Sequence, residues 1–113
     1  MKIIISDDVK FAITDIFNYT LNISSKYARK TVDNIYETIF NIKDSPYIGR
    51  YVPELSDKHF RECIYKEYRI IYYVSETNQT IYIQYIFCGR QNSNLFFEVH
   101  KNELYKFLNQ IIN

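Results

Sequence analysis

The chain has 113 residues, 14 Lys and Arg against 13 Asp and Glu, and 47% apolar residues, with only two Gly and two Pro. This is the composition of a folded chain, and the length fits one domain that buries roughly two-thirds of its unfolded surface without metal or disulfide staples. A formal charge of +1 excludes nucleic-acid affinity by bulk positive charge, so contact with a polyanion requires a local basic patch.

The N-terminal run Lys2 to Ile5 is β-branched and reads as a first strand. It is far shorter than a signal-peptide core, and no stretch approaches the ~20 apolar residues of a membrane span, so a cytoplasmic protein without a membrane partner is expected. Ser6-Asp7-Asp8 offers a cap and first-turn carboxylates to a helix in which Val9, Ala12, Ile13, Ile16, Thr20 and Ile23 recur at three and four. Ser24 or Ser25 caps a second helix with Ala28, Val32, Ile35, Ile39 and Ile42 on one face, and the two form an antiparallel hairpin. Asp44-Ser45-Pro46 ends it, and the segment to Leu55 reads as an ordered loop with turns at Pro46 and Gly49.

From Phe60 the period changes to two. The runs His59 to Tyr65, Tyr68 to Ser75 and Thr80 to Gly89, separated by short polar breaks, predict a three-stranded antiparallel meander. Parity puts Tyr68, Ile70, Tyr72 and Val74 with Ile81, Ile83, Tyr85 and Phe87 against the helices. Arg69, Tyr73, Tyr82 and Arg90 then share an open face, to which Arg61 and Tyr65 are candidates. The tail from Leu95 carries Val99, Leu104, Leu108, Ile111 and Ile112, an amphipathic C-terminal helix over 94–113. The expected fold is therefore α+β: a two-helix hairpin on a mainly antiparallel four-stranded sheet, β-α-α-β-β-β, with a helical extension, all one domain over 1–113.

No nucleotide-binding loop, nucleophile elbow or helical metal pair is present. Cys63 and Cys88 lack Cys or His neighbours at ligand spacing and read as reduced strand residues, so neither metal nor cofactor is expected. The candidate binding face holds Arg61, Tyr65, Arg69, Tyr73, Tyr82 and Arg90. Arginine forks suit phosphate and tyrosine rings suit unpaired bases; equally, such arginines pair with acids such as Glu62 and the tyrosines pack with their hydroxyls wet.

The run Pro46-Tyr47-Ile48-Gly49-Arg50-Tyr51-Val52-Pro53-Glu54-Leu55, then Phe60-Arg61-Glu62, Tyr68-Arg69-Ile70-Ile71-Tyr72 and Ile86-Phe87-Cys88-Gly89-Arg90 resembles the RelE/ParE toxin superfamily, over roughly residues 1 to 92. The resemblance implies a toxin of a type II toxin–antitoxin pair, of the plasmid-stabilisation type, neutralised by a cognate antitoxin that wraps it.

Within that superfamily RelE-like members are ribosome-dependent mRNA endoribonucleases, and ParE-like members inhibit DNA gyrase. Arg69 and Arg90 match two arginines of the nuclease pattern, and Glu54 meets a variant with a loop glutamate as general base. The paired lysines are absent, with Phe60 and Glu62 at their places. The last-strand Tyr or His is replaced by Cys88-Gly89-Arg90-Gln91-Asn92, with Phe96 where a tyrosine would stand. Metal-free RNA cleavage needs a base, a cation for the phosphorane and an acid for the leaving oxygen, and arginine fills only the second role well. The expectation is thus a ParE-like gyrase inhibitor. The alternatives are a metal-free ribonuclease using Glu54, Arg69 and Arg90 on the ribosome with mRNA, and an inactive interaction module.

Overall fold

The computed structural model describes residues 1–90 and 92–112; Gln91, Asn113 and the Ile112 side chain, named in the sequence reading, lie outside the described residues. Ile3 to Ile5 belong to the first strand, β1 (Lys2–Ile5), and Ser6 turns the chain into α1 (Asp7–Leu21). The Ser6 hydroxyl accepts the Val9 amide at 3.1 Å, satisfying an orphan donor of the first turn. Ser24 does the same for Tyr27 at 3.0 Å and opens α2 (Ser25–Asp44). Val9 and Ile13 of α1 and Ile35, Ile39 and Ile42 of α2 are buried.

The sheet has five strands where the sequence predicts four. The additional one is β2 (Arg50–Tyr51), which pairs antiparallel with Glu62 and Arg61 at the edge of β3 (Phe60–Tyr65). Two contacts draw that loop onto the sheet. The buried Tyr72 hydroxyl donates to the Pro46 carbonyl at 2.8 Å and accepts the Gly49 amide at 2.9 Å. A Cβ at Gly49 would stand 2.6 Å from the Glu62 carbonyl oxygen and 2.6 Å from the Tyr72 hydroxyl, so only glycine permits this approach. The meander continues through β4 (Tyr68–Ser75) and β5 (Thr80–Cys88), giving the order β1-β5-β4-β3-β2 with only β1 and β5 parallel.

The face that parity leaves open is covered. The last helix, α3 (Ser93–Ile112), lies across it, and every residue of β4 is buried. One core, under α1 and α2, includes Tyr68, Ile70, Tyr72, Val74, Ile81 and Ile83. The other, under α3, joins Phe60, Ile71, Tyr73, Tyr85 and Phe87 to Phe97 and Leu104. In α3 the packed positions are Phe96, Phe97, Leu104, Phe107, Leu108 and Ile111; Val99, expected on the apolar face, is exposed.

Tyr85 and Phe87 sit on the opposite face from that predicted. Between Ile71 and Tyr72 the register slips, with Ile71 opposite Tyr85 and Tyr72 opposite Ile83, so Gln84 is an extra residue and alternation reverses beyond it. The carbonyl of Gln84 is taken by the Ser6 hydroxyl at 2.8 Å, which ties the bulge to the start of α1.

Candidate functional site

The face shared by Arg69, Tyr73 and Tyr82 is built around one ion cluster. In the β3–β4 hairpin Tyr65 opposes Tyr68 and Glu62 opposes Ile71, which puts Glu62 diagonal to Arg69 on the α3 side. The Arg69 Nε donates to Glu62 Oε1 at 2.6 Å, while Nη1 and Nη2 fork onto the Glu54 carboxylate at 2.8 and 2.9 Å. The other oxygen of Glu62 accepts the Arg50 Nε at 2.6 Å. The side chain of Glu62 is fully buried, and those of Arg69 and Glu54 are 10% and 13% exposed. The Arg69 guanidinium also lies 5.0 Å from the Phe87 ring centre and 5.6 Å from that of Phe97.

These contacts fix the protonation states. The Arg69 fork, opposed by burial and helped by Ser93 of α3, lowers the Glu54 carboxyl to about 2. The same fork, opposed by burial and helped by Glu62, raises Arg69. A carboxylate so weakly basic is far from the pKa that suits a general base near neutrality. The arginine has its forks filled by acids, so a phosphate must compete with two carboxylates to reach it.

Of the candidate catalytic residues, Glu54 and Arg69 are thus in contact, and Arg90 is elsewhere. Arg90 lines a cavity with Asp15 and Tyr19 of α1, on the other side of the sheet. Of the remaining binding-face candidates, Tyr73 and Tyr82 lie beneath Phe107 of α3, with ring centres 5.9 and 5.1 Å from it. Arg61 and Tyr65 face away from α3. Arg61 Nη1 donates to the Gly49 carbonyl at 2.7 Å, and its guanidinium sits 4.6 Å from the Tyr51 ring centre. The Tyr65 hydroxyl accepts the Asn34 amide at 2.9 Å. The open arginine and tyrosine face of the sequence reading is therefore three separate places, because α3 covers the sheet and the register sends Arg61 and Tyr65 to the α2 side.

Arg50, Ser93 and Phe97 were missed by sequence reasoning as members of the cluster. The two-residue break Lys66-Glu67 was a usable signal for part of it. A tight hairpin there sets Glu62 diagonal to Arg69 by counting alone. No group of three or more His, Cys, Asp or Glu able to hold a metal occurs among the described residues, nor a helix long and apolar enough to cross a membrane.

Against known families, residues 3–93 match the ParE toxin of type II toxin-antitoxin system, parDE. The chain belongs to the ParE toxin family. No curated protein matches it. Among solved structures it is similar to a chain of the chromosomal ParDE TA system from P. aeruginosa, at 18% identity and a TM-score of 0.65, covering 78% of this chain and 95% of that one. It is also similar to the YoeB/ParE toxin from Agrobacterium tumefaciens, at 21% identity and a TM-score of 0.52, covering 78% of this chain and 98% of that one. At these identities the neighbours speak for the fold. The ParE family match ends at Ser93, the first residue of α3, so the helix that closes the Arg69 face lies outside the family-matched segment.

Proposed function

We propose that this ParE-family toxin acts in the cytoplasm by binding and inhibiting DNA gyrase, without hydrolysing RNA, and that a cognate antitoxin neutralises it. The observation that carries this reading is the closure of Arg69 by Glu54 and Glu62 beneath α3. A nuclease of the RelE-like kind needs that cation on the scissile phosphate and a base able to take the 2′-hydroxyl proton. Here the cation is spent on two carboxylates, and the glutamate beside it, with a pKa of about 2, takes up a proton poorly. A toxin that works by docking needs neither group free.

Induction in cells with parallel assays on purified protein tests this. The expected result is arrested growth with a DNA-damage response, trapped gyrase, loss of supercoiling activity in vitro and intact mRNA, all relieved by the antitoxin. Arrested translation with cut mRNA would assign the ribonuclease function instead. Normal growth on induction of the folded protein would leave an interaction module.

A further inference from the structure

The cavity holding Arg90 is not explained by the Arg69 cluster or by packing. Its volume is about 410 Å³, within the ~300–1,000 Å³ usual for binding pockets. It opens between α1 and the far ends of β4 and β5, wholly inside the family-matched segment.

Its donors and acceptors are unevenly distributed. Tyr68, 7% exposed, packs its ring in the core under the helices and lines the cavity. No hydrogen bond from a described residue reaches its hydroxyl, on which burial acts first and then the charge of Glu67. The ring is buried but the hydroxyl opens to the cavity and stays wet, since Thr31 Oγ1 is the one enclosed side-chain polar atom without a partner among the described residues, and a hydroxyl so placed is open to a ligand. Asp15 and Glu67 bring carboxylates to the same cavity, neither within ion-pair distance of a described base, and Tyr19, 72% exposed, brings a free ring face. Arg90 is the one cation among the lining residues.

Two carboxylates, a hydroxyl oxygen and an aromatic face call for a flat cation with several N–H groups. That describes a guanidinium, which forks onto acids and stacks on rings, better than the point charge of an ammonium. The same carboxylates repel the phosphates of RNA or DNA, so the guest comes from a protein. We propose that the cavity is an arginine pocket for the antitoxin. One antitoxin arginine enters between Asp15 and Glu67, lies on Tyr19 and donates to the Tyr68 hydroxyl, while Arg90 meets an acidic neighbour of that arginine. This rests on the toxin reading, which supplies the partner.

The test uses two titrations of the purified full-length chain. In the first, acetyl-arginine-amide and its neutral isostere acetyl-citrulline-amide are followed by NMR. The expected result is selective perturbation of Tyr19 and Tyr68 by the arginine compound, binding at least ~10-fold more tightly than citrulline, and a drop of ~3- to 10-fold in Tyr68→Phe and in Asp15→Asn. In the second, the antitoxin encoded beside this chain is titrated by calorimetry, and Asp15→Asn with Glu67→Gln should weaken it ~10-fold or more. Equal binding of the two capped compounds, or antitoxin affinity indifferent to Asp15, Glu67 and Tyr68, would overturn the pocket while leaving the toxin reading intact. Arginine binding by a chain that binds no antitoxin would instead remove the toxin reading and the assigned occupant together.

Discussion

Arg69 and Glu54 meet in a two-point fork, Nη1 to Oε2 at 2.8 Å and Nη2 to Oε1 at 2.9 Å. The contact joins the start of the central strand, where Arg69 is the second residue of β4, to a loop, and the Arg69 guanidinium in turn lies 5.6 Å from the ring centre of Phe97 on α3. One ion pair thus locks the strand, the loop and the covering helix together.

Removing one partner strands the other in a site with little water. We expect Arg69→Met to lower stability by ~3–5 kcal/mol, since it leaves the Glu54 carboxylate without its cation and the fully buried Glu62 with Arg50 alone. Arg69→Lys should recover only part of the loss, because an ammonium cannot fork onto Glu54 and reach Glu62 with the same geometry. Urea unfolding followed by circular dichroism measures both. An Arg69→Met protein as stable as the wild type would show that the cluster contributes nothing to the fold.

The same fork makes stability depend on acidity. Glu54 ordinarily titrates at 4.5 and here at about 2, by the Arg69 hydrogen bond first, with burial opposing and Ser93 assisting. Because the folded value is depressed, the folded state holds the carboxylate charged after the unfolded chain has protonated it. That contribution, on the order of 3 kcal/mol, is complete above pH 4.5 and fades as the pH falls toward about 2. Urea midpoints measured from pH 5 to pH 2 should fall less steeply in Glu54→Gln than in the wild type. Parallel curves would place the acid sensitivity in other carboxylates.

How far the sequence discloses this arrangement can be followed residue by residue. Period-two runs of Ile and Tyr, and Ser6 and Ser24 ahead of amphipathic stretches, locate the helix hairpin and the meander because their signals are local. The bulge at Gln84 leaves no local mark; it is a pairing event that depends on where Ser6 meets β5, and it moves Tyr85 and Phe87 to the other face. The fate of Arg69 is hidden for a similar reason. Its partner Glu54 lies in a loop whose position is set by Gly49 and Tyr72, and its cover comes from Phe97, on a helix whose pattern reads equally as exposed or packed.

The Gly49 turn is a further point of rigidity. A Gly49→Ala side chain would need to displace the Glu62 backbone and the Tyr72 ring, both within 2.9 Å of the new atom. A cost of ~2 kcal/mol or more is expected, of the size seen for overpacking. Tyr72→Phe keeps the ring but leaves the Gly49 amide and the Pro46 carbonyl without their partner, for ~1–3 kcal/mol. Combined, the two changes should cost less than their sum, since both loosen the same loop. Thermal unfolding of the four proteins reads the coupling, and strict additivity would mean that the two residues do not hold one loop.

The cover over Arg69 is tested through α3. Phe97 is buried against Phe87 at a ring separation of 5.7 Å and borders the Arg69 guanidinium, whereas Val99 on the same helix is exposed. Phe97→Ala should therefore cost ~3–5 kcal/mol, the range for emptying a large aromatic from a core. Val99→Ala should stay within about 0.5 kcal/mol, as for surface positions. Phe97→Ala also opens the guanidinium to water, weakening the fork, so the pH dependence assigned to Glu54 should shrink with it. Urea titrations of the two variants at pH 7 and pH 3 distinguish this from simple loss of packing. A Phe97→Ala protein that is destabilised but keeps the full acid sensitivity would show that α3 packs on the sheet without governing the Arg69 and Glu54 pair beneath it.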